Sequence, residues 1–203
     1  MGKIALNGRD IGSPATAGSI MVDGKKLVVT AGGADIWGAS DAFHFASHTM
    51  GGNFSLSVRI EAFDGAHLSS KAGIMLRASA EPNAANLMLF AFADTKARNK
   101  NNGGIEFQSR EQRGWDTVAI YPNQPLAEDP DFPVNYPDVW LRLQRRDDVY
   151  EGFVSKDGQM WRRYCQHKVI LTGTPLLGLA VTAHHASKAA KATFSQIDYL
   201  PLE

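Results

Sequence analysis

Short segments in which apolar and polar residues alternate run through the chain, broken every few residues by Gly, Asn, Asp or Pro. A period of two marks strands with one face buried, and closely spaced turn residues between them suit an antiparallel sheet. Strands are predicted at "KKLVVTAG", "AFHFAS", "FSLSVRIEAF", "KAGIMLRAS", "NLMLFAFAD", "GIEFQSRE", "TVAIY", "VWLRLQRR", "VYEGFVS", "WRRYCQ", "LLGLAVTAH" and "ATFSQIDYL". No stripe of helical period competes, although "SKAAKATF" could hold a short helical turn. So many short strands need a second sheet to cover the apolar face of the first, and the expected fold is an all-β, two-layer sandwich. No repeat or linker divides residues 1–203, which read as one domain.

The stretch "LRLQRRDDVYEGFVSKDGQMWRRY" reads as a meander with turns at Arg146-Asp147-Asp148 and Lys156-Asp157-Gly158. Asp94 to Gly104 is a polar, basic connection, and Tyr121 to Asp138 holds five of the nine prolines, as a long stiffened loop would.

The same alternation sorts side chains by face. With Phe54, Leu56, Val58 and Ile60 in the core, Ser55, Ser57, Arg59 and Glu61 face away. Lys71, Met75 and Arg77 face outward opposite Ala72, Ile74 and Leu76. His44 lies opposite Phe43 and Phe45, Arg142 and Gln144 lie opposite Leu141 and Leu143, and His184 shares the face of Thr182. If these strands form one sheet, its outer face gathers His44, Arg59, Lys71, Arg77, Arg142, Gln144 and His184 as a donor-rich stripe. Trp115 or Trp140 would supply an aromatic surface for stacking. Such a face is also what a merely solvated sheet presents, with the tryptophans in the core.

Charge and cysteine content narrow the function. The chain carries 21 basic and 21 acidic residues, so no overall field draws it to nucleic acid or to an anionic membrane surface, and no apolar run is long enough to span a bilayer. A single cysteine, Cys165, excludes an internal disulfide framework, a Cys-rich zinc site and a C-x-x-C redox pair. That usage and the absence of an apolar leader favour a cytoplasmic setting, with secretion the alternative if a leader has been removed.

Taken in order, "DIG" (10–12), "GGADIWGASDAFHF" (32–45), "GNFSLSVRI" (52–60), "KAGIMLR" (71–77), "WLRLQR" (140–145), "GFVSKDGQMW" (152–161), "GLAVTAH" (178–184) and "ATFSQI" (192–197) resemble a branch of the concanavalin A-like lectin/glucanase superfamily. That branch includes the fungal regulation-of-enolase protein and domains appended to bacterial carbohydrate-active proteins. The resemblance covers nearly the whole chain. It implies a jelly-roll of two curved antiparallel sheets, with a ligand on the concave face or its rim. The superfamily mixes glycan binders, glycosidases and lyases, so it implies no single function.

Catalytic signatures are missing. Retaining glucanases need two carboxyls roughly 5 Å apart on one strand face, whereas Glu61 and Asp64, like Glu106 and Glu111, have odd separations that put them on opposite faces. There is no G-x-S-x-G, H-E-x-x-H or phosphate-binding glycine loop. "SKDGQMW" resembles a sialidase-type Asp-box turn with a shortened Asp-Gly spacing. His44 and His48 stand about 13 Å apart along a strand, too far to share one ion. The superfamily resemblance implies a possible structural calcium, for which Asp35, Asp41 and Asp198 are the candidates, although turn capping is the favoured explanation of such aspartates.

The expected function is therefore non-catalytic saccharide binding through the polar sheet face. The alternatives are a protein-interaction or regulatory module, and a glycosidase or lyase whose carboxylates only the fold brings together.

Overall fold

A computed structural model describes residues 5–93, 104–122 and 139–203. Most of the Pro-rich segment (123–138) and of the basic connection (94–103) lies outside the described residues. The chain is all-β, with no helix among those residues, and its strands form two antiparallel sheets packed as a jelly-roll sandwich.

The strands are numbered along the chain. One sheet has the order β1 (Asn7–Ile11), β5 (Ser40–Thr49), β14 (Leu176–Thr182), β7 (Lys71–Arg77), β8 (Asn86–Phe92), β9 (Ile105–Arg110) and β10 (Val118–Ile120), with the short β4 (Asp35–Trp37) paired to the start of β5. The other runs β13 (Arg162–Lys168), β12 (Val149–Ser155), β11 (Val139–Arg146), β6 (Asn53–Asp64), β15 (His185–Leu202), β3 (Lys26–Gly33) and β2 (Ser19–Asp23). The meander forms as expected, with β11, β12 and β13 in consecutive antiparallel register. The segment "SKAAKATF" is not helical. Its small residues belong to β15, which pairs with both β3 and β6.

The main core lies between the sheets. Phe54, Leu56, Val58 and Ile60 of β6 and Leu141 and Leu143 of β11 meet Ile74, Leu76, Leu87, Leu89 and Phe107 from the other sheet. Each such side chain contributes roughly 1.5–3 kcal/mol on leaving water. A second, smaller cluster sits on the far side of the eight-stranded sheet, where Ile11, Ile36, Phe43, Phe45, Met75, Met88, Phe90 and Phe92 pack together. Every residue of β7, β8, β9 and β14 is accordingly buried. That sheet is covered on both faces, which reverses the assignment at β5. Phe45 pairs with Ala180 on the outer side, while His44 pairs with Val181 on the side of the main core.

The cover is laid down by β4. Its Ile36 is fully buried in the second cluster, and the Ile36 carbonyl accepts from Lys71 Nζ at 2.8 Å and Gln108 Nε2 at 3.0 Å. One residue beyond the strand, the Gly38 carbonyl accepts from Arg110 Nη2 at 2.9 Å and from Thr117 Oγ1 at 2.9 Å. The polar residues of the sheet's outer face thus satisfy a backbone that crosses it, which a buried carbonyl requires.

Beside this strand the Asp41 carboxylate lies between two fully buried guanidinium groups. Arg77 Nη1 reaches Oδ2 at 3.0 Å, and Arg110 reaches Oδ2 at 2.9 Å through Nη1 and Oδ1 at 2.6 Å through Nη2. Asn86 donates to the same carboxylate, and Arg77 continues to the carbonyls of Ser79 and Glu81. Removing one member of a buried ion network leaves uncompensated charge, at a cost of about 3–5 kcal/mol. Asp41→Asn should therefore lower unfolding free energy by about that amount in urea titrations; a loss below roughly 1 kcal/mol, the size of a surface pair, would show that the network is not structural.

Candidate functional site

The seven residues expected to form one donor stripe divide between the two sheets. Lys71 and Arg77 are in β7 and His44 in β5, while Arg59 lies in β6 and Arg142 and Gln144 in β11. Residues from different sheets cannot share a sheet face, so the single stripe is corrected to two separate sets.

In the first set the cations are consumed internally. Arg77 is wholly occupied, as described above. Burial pulls its guanidinium below the usual value, and Asp41 opposes that shift. Lys71 is buried, with Nζ on Asp35 Oδ1 at 3.0 Å and on the Ile36 carbonyl, and it sits 5.2 Å from the ring centres of both Trp37 and Phe90. His184, at a positive φ of 50°, brings Nδ1 to 3.1 Å from Asp35 Oδ2 and stacks on His67. His44 is buried in β5, beside the edge strand β1, with Nδ1 2.7 Å from Asp10 Oδ1 and its ring against the backbone of Gly18. Trp115 is 54% exposed in the turn between β9 and β10, apart from all of these.

The aspartates considered for calcium do not make one shell. Asp41 holds two guanidinium groups, Asp35 holds Lys71 and faces His184, and Asp198 belongs to the opposite sheet. No cluster of three His, Cys, Asp or Glu side chains suited to a metal occurs among the described residues.

The second set lies on the outer face of the seven-stranded sheet. Side chains paired across neighbouring strands share a face, so the register yields a grid over β12, β11, β6 and β15. One row is Phe153, Arg142, Ser57 and Asp198, the next is Ser155, Trp140, Arg59 and Ser195, and a third is Glu151, Gln144, Ser55 and Leu200. Gln144 Nε2 donates to Ser55 Oγ at 3.3 Å, and the Arg59 guanidinium lies 5.9 Å from the Trp140 ring centre.

The Ser155 to Trp161 hairpin folds onto this grid. Asp157 Oδ1 accepts from the backbone amides of Gln159 and Met160 at 2.8 and 2.9 Å, and it also pairs with Ser155 Oγ. Those amide donors hold the Asp157 carboxyl below its ordinary value. Gly158 has φ +74°, and a Cβ there would come within 2.6 Å of the Trp140 ring, so geometry and space both require glycine. The turn closes on Trp161, whose indole N–H donates to the Gly158 carbonyl and whose ring lies 3.8 Å from the Arg142 guanidinium.

Arg142 differs from the buried cations of the other sheet. Among the described residues no acceptor lies within hydrogen-bond reach of its guanidinium, and its Nε–H is sealed from solvent without a partner. Burial pulls its pKa down, with only the more distant Asp198 opposing. A half-buried cation packed against an indole, whose terminal nitrogens bond no acceptor among the described residues, is the feature of this face suited to an acceptor from outside.

Acid–base chemistry finds little footing here. By strand geometry Glu61, Glu151 and Asp198 stand about 14 Å or more apart at the backbone, and Glu61 and Glu151 are engaged by Lys26 and Arg163. The lone Cys165 is buried in the main core, where burial pushes its thiol up to about 12, so it offers no nucleophile.

No protein-family model matches the chain, and no curated protein matches it. Among solved structures, a functionally unknown protein from Saccharomyces cerevisiae aligns with TM-score 0.66 at 18% identity over 97% of both chains. The carbohydrate-binding module CBM66 from Bacillus subtilis aligns with TM-score 0.53 at 14% identity, over 95% of this chain and 94% of its own. A legume lectin-like domain from Entamoeba histolytica aligns with TM-score 0.55 at 9% identity, over 98% and 91%. The fold shared with these proteins is a jelly-roll β-sandwich. At these identities the likeness extends to the fold alone.

Two outcomes follow. Cys165 should resist a thiol reagent at pH 8 in the native protein and react on denaturation; rapid native labelling would contradict its burial. A depressed Asp157 pKa stabilises the fold above the group's ordinary value of 3.8, and that contribution is lost as pH falls through the folded value. Asp157→Asn should therefore lower stability at pH 7, with the gap to the parent protein closing as pH drops below that range. A gap independent of pH would remove the carboxylate from the account.

Proposed function

We propose that this chain is a non-catalytic saccharide-binding domain whose ligand lies on the outer face of the seven-stranded sheet, centred on Arg142. The observation that carries this reading is the guanidinium stacked on Trp161 with no acceptor among the described residues. Trp140 adds an aromatic surface in the neighbouring row, and Gln144 with Ser55 and Ser57 offers hydrogen-bonding groups at sugar-ring spacing. Of the residues expected to bind, Arg59, Arg142 and Gln144 keep that role, joined by Trp140 and Trp161. The lectin-like domain and the carbohydrate-binding module among the structural neighbours support carbohydrate binding at the level of the fold.

The second reading is a protein-interaction module, in line with the resemblance to the branch containing the regulation-of-enolase protein. It draws on Trp37, Trp115 and Val118, which are 41%, 54% and 48% exposed on the eight-stranded sheet and its adjoining turn.

A glycan array separates the two. The wild-type protein should bind a restricted set of glycans, and Arg142→Ala should weaken that binding roughly tenfold or more while leaving the melting temperature within a few degrees. Binding that survives Arg142→Ala would discard the site, and no binding to any glycan would favour the interaction module.

A further inference from the structure

Resting on the saccharide reading of this same face, we propose that the group seated on Arg142 is a carboxylate, so that the sugar recognised is a uronate rather than a neutral hexose or pentose. The terminal nitrogens of a guanidinium form a planar fork that matches the two oxygens of a carboxylate, and a hydroxyl can use only one of them at a time. The Trp161 ring, its centre 3.8 Å from the guanidinium carbon, restricts the movement of that fork before any ligand arrives.

The charge balance of the face selects the same ligand. Glu61 is taken up by Lys26 at 2.6 Å and Glu151 by Arg163 at 3.0 Å. Asp198 lies in the row of Arg142 but one strand beyond Ser57, and no ion pair within 4.0 Å joins the two among the described residues. Arg142 therefore has no ion-pair partner among the described residues, only the more distant field of Asp198. A neutral sugar laid over it would remove its remaining water and give back no charge, which is unfavourable for a partly buried cation. A carboxylate replaces that water with two charge-assisted bonds, while Gln144 and Ser57 remain available to ring hydroxyls.

The test uses oligomers of galacturonate, glucuronate and mannuronate, each paired with the same oligomer after reduction of its carboxyls to alcohols, which leaves ring stereochemistry intact. Calorimetric titration of the full chain should show the matching uronate losing roughly tenfold to a hundredfold in affinity on reduction. Arg142→Gln should bring the uronate down to the affinity of its reduced form while changing the reduced form little, and Arg142→Lys, which keeps the charge without the fork, should fall between. Asp198→Asn should tighten uronate binding by removing a competing anion. Equal affinity for an oligomer and its reduced form overturns the carboxylate assignment and leaves the saccharide reading standing. So does binding confined to neutral glycans. Failure of every glycan, acidic or neutral, overturns both. Melting curves of each variant exclude loss of fold as the cause.

Discussion

The Asp41 carboxylate, enclosed by Arg77 and Arg110 at one end of the eight-stranded sheet, is the interaction on which the rest of the architecture depends. Two guanidinium groups with no exposed side-chain surface are tolerable only because one carboxylate and several backbone carbonyls take up their donors. Those carbonyls belong to two separate segments, around residues 37–38 and 79–84, and the Thr117 hydroxyl also accepts from Arg110, so the network ties the loops at that end into one body. With those segments held, β4 stays across the sheet, Ile36 stays in the second cluster, and the outer face of this sheet becomes interior.

That arrangement decides where a ligand can be met. Lys71, Arg77 and Arg110 of the eight-stranded sheet are spent on its own backbone and carboxylates. Among the described residues no strand is laid across the polar rows of the seven-stranded sheet, and its central arginine is packed against an indole without an acceptor. Two arginines on similarly alternating strands therefore have opposite roles. Arg77 is a structural member of a core, and Arg142 is a donor waiting for a partner.

The fold was legible because alternation is a local property. The inward sets of β6 and β11, the meander turns at Asp147 and Gly158, and the run of strands all follow from a period of two and from turn chemistry. The site was only half legible. Alternation assigns a residue to one of two faces but says nothing of which sheet a strand joins, so Arg59 and Lys71 looked like neighbours although they lie in different sheets. Nor does alternation reveal that an outward face is covered. Phe43 and Phe45 of β5 would pass for core residues on any pattern argument, and they are core, but of the second cluster rather than the first. The one available signal was the set Met75, Met88, Phe90 and Phe92, apolar residues at outward positions of β7 and β8 where a solvated face would be polar. Trp161 was hidden differently. Its place over Arg142 depends on the Asp157 turn folding back onto the sheet, which "SKDGQMW" hints at only as a hairpin.

The four tryptophans sample both surfaces, with Trp140 and Trp161 on the seven-stranded sheet and Trp37 and Trp115 at the other. Indole N–H resonances in a nitrogen-15 correlation spectrum, followed during titration with a bound saccharide, therefore report directly which sheet carries the ligand. The account predicts saturable shifts of the Trp161 and Trp140 signals while those of Trp37 and Trp115 stay in place. Shifts confined to Trp37 and Trp115 would contradict it and move the binding surface to the opposite sheet.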